Sequence, residues 1–373
     1  MSDSLVTPYV VDVPQSAIND LRARLAATRL PDPLPGDGWD TGVPVGVLHE
    51  HVRSWQQHDW LATQDRLNAL PHFTTTVEDQ VFHFVHVRSS NPEAVPLMLV
   101  HGWPGSFLEF EGLIDRLSDT FHLIIPSLPG FGFSTPLVSG GWTSRRIAGA
   151  LVEVMQRLGY DRYVVQGGDL GAGIAPDMGR VAPHAVAGVH VNGALGGFVS
   201  EVDDPSSLTE LEQDRLRRVA EFQQREIGYI AIQSTRPALI GAMTADSPVG
   251  QLAWILDKLQ AWTWPVDTPG RDVLHEFVLD NISLYWFTCT GGSAAYVGYA
   301  QGGGWGETPE KSDVPTAAIQ FAHDIGLRAS AEESNRIVRW TDIEHRGGHF
   351  AALEEPDLLA ADLREFVDSL DLR

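Results

Sequence analysis

Residues Val164-Val165-Gln166-Gly167-Gly168-Asp169-Leu170-Gly171-Ala172-Gly173 restrict the fold of this chain more than any other stretch. β-Branched residues lead into a glycine pair, one carboxylate follows, and a second small-residue run continues through Ile174 and Ala175. That order predicts a strand, a sharp turn and a helix. The skeleton Gly167-x-Asp169-x-Gly171 has the spacing of a nucleophile elbow, with aspartate where serine commonly sits. Glycine is needed on both sides because a strained turn tolerates almost no neighbouring side chain.

Short unbroken apolar runs supply strands to accompany it: Pro96-Leu97-Met98-Leu99-Val100, Phe121-His122-Leu123-Ile124-Ile125, Tyr163-Val164-Val165 and Val186-Ala187-Gly188-Val189-His190-Val191. Helical stretches at 108–118, 143–158 and 172–182 separate them, so the strands are expected to be parallel and buried on both faces. The pattern returns at Thr316–Phe321 and Arg336–Trp340, and a final helix at 357–370 carries Leu359, Leu363 and Phe366 on one stripe. Ahead of this core come an amphipathic helix with Ile18, Leu21 and Leu25 on one face, Ser16 as its candidate cap, and a Pro- and Gly-rich meander. A helical region at 45–70 follows, with Trp55 and Trp60 as docking anchors. The alternating runs 73–77 and 81–87 read as an antiparallel hairpin. After Asn192 regularity stops, and an acidic helical segment at 206–225 gives way to an aromatic-rich stretch to residue 300. The expected organisation is an N-terminal extension (1–90), an α/β core (91–199 and 306–373) and a helical cap (200–305) acting as a lid.

Charge and composition exclude several classes. A formal charge of −23 argues against nucleic acid and anionic membrane, because phosphate contacts need clustered Lys and Arg. One cysteine, Cys289, rules out an intrachain disulfide framework and fits a reducing compartment. The first twenty residues hold no signal-peptide core, and no run approaches the roughly 18 apolar residues of a membrane span. A soluble, cytoplasmic protein without membrane or nucleic-acid partners is expected; oligomeric state is left open, a homodimer among the options.

Chain order tests the elbow. His349 lies in His345-Arg346-Gly347-Gly348-His349-Phe350, after the last predicted strand, where such a fold carries its base. Asp324, just past the strand ending at Phe321, sits where the orienting acid belongs. The loop His101-Gly102-Trp103-Pro104-Gly105-Ser106 could expose a backbone N–H that pairs with that of Leu170 as an oxyanion hole, with His101 fixing the loop. Carboxylate is a poor acyl nucleophile but displaces at sp³ carbon, giving an alkyl ester that histidine-activated water hydrolyses. Epoxides or carbon–halogen bonds are opened this way. An epoxide oxygen needs a proton donor, which cap tyrosines supply, whereas a halide site prefers indole N–H groups, often directly after the nucleophile. Leucine occupies that position here, so epoxide is favoured over haloalkane; a catalytically silent binding protein on the same fold is the third reading.

These residues resemble the microsomal-type epoxide hydrolases, α/β-hydrolases with an N-terminal extension, in their soluble, bacterial form. The similarity runs through Thr28-Arg29-Leu30-Pro31, His101-Gly102-Trp103-Pro104-Gly105-Ser106, Pro126–Ser134, Gly167-Gly168-Asp169, Asp246-Ser247-Pro248-Val249-Gly250 and Gly347–Glu354. It implies an α/β-hydrolase fold: a mostly parallel sheet, helices on both faces and an inserted helical cap. It also implies Asp169 as nucleophile, His349 as base, Asp324 as acid, and the backbone N–H groups of Trp103 and Leu170 as oxyanion donors. Ring-opening tyrosines fall on Tyr229 and Tyr296, with Tyr299 the alternative to Tyr296 because the stretch is about two residues short. No cofactor or metal is implied. The substrate is a small-molecule epoxide, and the aromatic cap points to a bulky apolar or aromatic one.

Overall fold

The computed structural model describes residues 6–36, 38–199, 202, 206, 208–263, 271–302, 309–370 and 372. The predicted cap boundaries at 200 and 305 fall outside them. One sheet holds nine strands among the described residues: β1 (Thr7–Tyr9), β2 (His72–Val77), β3 (Gln80–Val87), β4 (Val95–Val100), β5 (Phe121–Pro126), β6 (Tyr163–Gly167), β7 (Val186–Asn192), β8 (Ser312–Gln320) and β9 (Asn335–Asp342). Their order is β1-β2-β3-β5-β4-β6-β7-β8-β9. β1 to β3 are antiparallel, β3 pairs antiparallel with β5, and the strands from β5 to β9 run parallel. The β2–β3 turn is tighter than predicted: Val77 pairs with Gln80, and Glu78 and Asp79 both take positive φ, as a two-residue hairpin loop requires.

Ahead of the core lie α1 (Gln15–Ala26), α2 (Val45–Gln57) and α3 (Trp60–Asn68). Ser16 does not cap α1; Pro14 holds that position without a side-chain bond, so Ser16 falls inside the first turn. Helices α4 (Glu111–Leu117), α5 (Ser144–Arg157) and α6 (Leu170–Val181) alternate with the parallel strands. Between β7 and β8 come α7 (Glu210–Arg225), α8 (Gly228–Thr235), α9 (Pro237–Asp246), α10 (Pro248–Trp262), α11 (Arg271–Thr288) and α12 (Gly291–Ala300). Then α13 (Arg328–Ser334) precedes β9, and α14 (Ala351–Glu354) and α15 (Pro356–Asp368) close the chain. Helices cover both faces of the sheet: a Cβ on Gly188 would meet Phe366 of α15, whereas Val189, pointing the other way, packs under Gly179 of α6. The inner parallel strands β4, β6 and β7 are accordingly almost continuously buried, whereas the edge strand β9 is largely half-buried or exposed. No described helix is long and apolar enough to cross a membrane.

Helices α2 and α3 grip α11. Trp55 Nε1 donates to Ser283 Oγ (2.7 Å), Thr63 Oγ1 donates to Asp280 Oδ1 (2.7 Å), and Arg66 pairs with Asp280 Oδ2 (2.6 Å). Trp55 and Trp60 are both buried, as docking anchors must be. From its other side α11 reaches the loop after β4: Asn281 Nδ2 donates to the Pro104 carbonyl and the Tyr285 hydroxyl to the Gly105 carbonyl, each at 2.8 Å. Helices α2 and α3 therefore brace, through α11, the loop that begins the site.

Candidate active site

Four of the residues predicted for chemistry lie at the C-terminal edge of the parallel strands, where open α/β sheets bind ligands. Asp169 follows β6 and Trp103 follows β4; Asp324 comes after β8 and His349 after β9. Asp169 is the N-cap of α6 with φ 54° and ψ −118°, a conformation costly for a side-chain-bearing residue. Its neighbours must be glycine: a Cβ on Gly171 would lie 2.2 Å from the Val100 carbonyl oxygen, and one on Gly102 would lie 2.1 Å from Asp169 Oδ1.

The strained turn aims the carboxylate. Asp169 Oδ1 accepts the backbone N–H of Trp103 (2.8 Å) and of Leu170 (2.7 Å), while Oδ2 stands 3.3 Å from His349 Nε2. His349 is held by its own N–H on the Trp262 carbonyl (3.0 Å) and by the Trp262 ring, 5.0 Å centroid to centroid. Burial lowers the His349 pKa, but the hydrogen bond and charge of Asp169, then the charges of Asp324 and Glu109, raise it above its ordinary value. Asp324 is 4% exposed and accepts the Phe321 N–H on Oδ2 (2.7 Å). Burial pushes its pKa up to about 6 against the pull of Phe321, His349 and two arginines. His101 is pushed down to about 4 by burial and spans two backbone groups, the Gly102 carbonyl and the Leu128 N–H. It fixes the loop as a neutral ring.

These groups open onto a cavity of about 890 Å³. Trp103 stacks on Tyr229 (4.9 Å, 11° between planes), and Tyr229 meets Trp262 edge-on at 5.3 Å. Lys258, ion-paired with Glu226 and Asp257, lies 5.6 Å from the Tyr229 ring centroid. Burial, then Asp169 and Glu226, hold the Tyr229 phenol well above its ordinary pKa, so it remains a proton donor.

Tyr296 is not part of this group, which corrects the expectation for the second tyrosine. Val297, Gly298 and Gln301 of the α12 region line the cavity. The hydroxyl of Tyr296 instead lies beside Gly140, and its ring packs 5.5 Å from that of Tyr299, which is half exposed. The reason is helical phase: Tyr296 and Tyr299 are three apart and share one face, whereas 297, 298 and 301 occupy another. Two groups escaped the sequence reading. Gln233, one turn on from Tyr229 on α8, is 4% exposed, lines the cavity, and has a buried Nε2 without a hydrogen-bond partner among the described residues. Glu109 lies close enough to Asp169 and His349 for their charges to shift its pKa. The Tyr229–Gln233 spacing could have revealed the first; no local pattern announces the second.

A carboxylate elbow, a half-buried histidine and two converging backbone N–H groups on a mostly parallel sheet define an α/β-hydrolase. Comparison with known proteins narrows the class. Residues 6–110 match the family pattern described as "Epoxide hydrolase N terminus", and residues 95–248 match "alpha/beta hydrolase fold". Epoxide hydrolase 1 of Sus scrofa is 33% identical, over 99% of this chain and 90% of that relative. Among solved structures, Aspergillus niger epoxide hydrolase superposes with a TM-score of 0.87 at 29% identity, covering 98% of this chain and 97% of that one. The juvenile hormone epoxide hydrolase of the silkworm Bombyx mori superposes with a TM-score of 0.86 at 29% identity, covering 98% and 95%. The chain belongs to the epoxide hydrolase family and is a hydrolase.

Proposed function

We propose that this chain converts an epoxide to a vicinal diol through an alkyl ester on Asp169 that His349-activated water then hydrolyses. One observation carries the reading: both oxyanion donors, Trp103 N–H and Leu170 N–H, point at Oδ1 of Asp169 itself. Donors of this kind stabilise the oxygen of a tetrahedral centre. When the oxygen they bind belongs to Asp169, the tetrahedral centre is the Asp169 carboxyl carbon, which is where water must attack an ester formed on Oδ2.

In the first step Oδ2 attacks a ring carbon, the carbon–oxygen bond breaks, and the Tyr229 phenol protonates the departing oxygen. In the second, His349, made more basic by the charge of Asp324, takes a proton from water as its oxygen bonds to the carboxyl carbon. Trp103, Tyr229 and Trp262 give the cavity aromatic walls, and its size suits a bulky apolar epoxide. The similarity to a juvenile hormone epoxide hydrolase supports including juvenile hormone among the epoxides tested. Helices α7 to α12 act as the lid that carries Tyr229. The test is diol formation, with chiral analysis, across styrene-type, aliphatic and terpenoid epoxides. Diol from at least one class is expected; halide release from bromoalkanes with no diol from any epoxide contradicts the reading.

A further inference from the structure

Besides the large cavity, Asp169 and His349 border a second one of about 10 Å³, walled also by Glu109, Gly102, Asn192 and Phe350. That is the scale of a single water molecule. It touches both reacting groups of the ester-hydrolysis step, and Glu109 is a carboxyl the mechanism above leaves without a task.

The Glu109 carboxyl is placed by construction. Ser106 Oγ accepts the Leu108 N–H at the start of the 3-10 turn Phe107–Phe110, which folds Glu109 back over the preceding loop. A Cβ on Gly105 would lie 1.4 Å from Glu109 Oε1, so the carboxyl occupies the space a side chain at 105 would need. Gly105 is in turn fixed through its carbonyl by Tyr285 and, one residue earlier, by Asn281. Burial raises the Glu109 pKa to about 8; Asp169 adds to the rise, and His349 and the Ser106 backbone oppose it. A protonated carboxyl still accepts a hydrogen bond at its carbonyl oxygen.

The geometry points to Glu109 as the residue that, together with His349, holds the hydrolytic water in this small cavity against the Asp169 ester. The inference rests on the covalent reading above. Water gives one proton to His349 Nε2 as its oxygen bonds to the Asp169 carboxyl carbon, and the carbonyl electrons move to Oδ1 in the N–H pair. Collapse breaks the bond from that carbon to Oδ2, which leaves on the product and takes the proton from His349. The second water hydrogen, held by a hydrogen bond to Glu109, remains on the new Asp169 carboxyl and passes from there to the Tyr229 phenolate left by ring opening, which restores both groups. Glu109 loses and gains nothing.

Single-turnover mixing with intact-protein mass detection separates ester formation from ester breakdown. Wild type is compared with Glu109→Ala, Glu109→Gln and Gly105→Ala, the last displacing the carboxyl without removing it. Ester formation is expected to stay within about threefold of wild type throughout, while breakdown slows about tenfold or more in both alanine variants. Glu109→Gln keeps an acceptor oxygen and is expected to restore breakdown to within about threefold of wild type. Glu109→Leu, which keeps bulk and removes both oxygens, covers the case in which alanine leaves an unfolded chain. Unchanged breakdown, or equal slowing of both steps, overturns the role of Glu109. Failure of wild type and every variant to form an ester overturns the covalent reading instead.

Discussion

His349 Nε2 stands 3.3 Å from Asp169 Oδ2, so base and nucleophile hold each other until one of them is consumed. The consequence is electrostatic. Burial by itself lowers the His349 pKa, and its net rise depends first on the hydrogen bond and charge of Asp169. In the proposed mechanism both disappear when Asp169 becomes an uncharged ester, leaving burial and the smaller effects of Asp324 and Glu109. The imidazole should therefore lose affinity for its proton at the step that needs it as a base. The pH dependence of ester breakdown is expected to show a lower apparent pKa than the His349 titration in free enzyme followed by NMR. Equal values contradict this coupling.

Replacing His349 with Gln should leave ester formation largely intact and slow its breakdown about 100-fold or more. Intact-protein mass should then show an adduct equal to Asp169 plus one epoxide, and its absence with a reactive epoxide counts against the base assignment.

Asp324→Asn removes a charge that supports His349 while keeping the acceptor that holds the Phe321 N–H. Breakdown should slow about tenfold to 1,000-fold, less than in the His349 variant, because the base itself survives. The wild-type Asp324 pKa of about 6 adds a signature. Its charge is present above that pH and lost below it, so wild-type breakdown should fall as pH drops through about 6, and the variant should lack that limb.

The two tyrosines should separate cleanly. Tyr229→Phe removes the phenol from the cavity and should slow ester formation about 100-fold. Tyr296→Phe, whose hydroxyl lies by Gly140, should stay within about twofold of wild type, as expected for a change of about 0.5 kcal/mol or less. Comparable losses in both variants would return Tyr296 to the site.

Glu109 also marks stability. Its pKa rises from the ordinary 4.5 to about 8 in the fold. Between those values the unfolded chain has released a proton that the folded one keeps, so wild-type stability declines as pH rises through that window. The decline is at most about 1.4 kcal/mol per pH unit. Glu109→Gln does not titrate. Its Tm relative to wild type should climb from pH 5 to 8 and then level off; a flat difference contradicts the burial of this carboxyl.

Much of this was legible in residues whose environment is local. Val164 to Gly173 announced strand, turn and helix because the steric needs of that turn are written in adjacent glycines. His349 and Asp324 were placed by strand order, which short apolar runs make plain. What escaped depends on rotation about a helix axis or on distant chain segments. Tyr296 was matched by motif, but its phase on α12 turns it toward Gly140 while Gly298 faces the cavity. Glu109 reads as an ordinary acidic residue in Phe107-Leu108-Glu109-Phe110, since only the folded loop brings it over Gly105. β1 was missed because three residues carry too little alternation to register.

The central claim is that water attacks the Asp169 carboxyl carbon and not the substrate. A single turnover in ¹⁸O-labelled water, with enzyme in excess over epoxide, tests it most directly. The proposed mechanism predicts an unlabelled diol, its new oxygen drawn from Asp169, and label in the Asp169 carboxylate by peptide mass analysis. A labelled diol from the first turnover would contradict it.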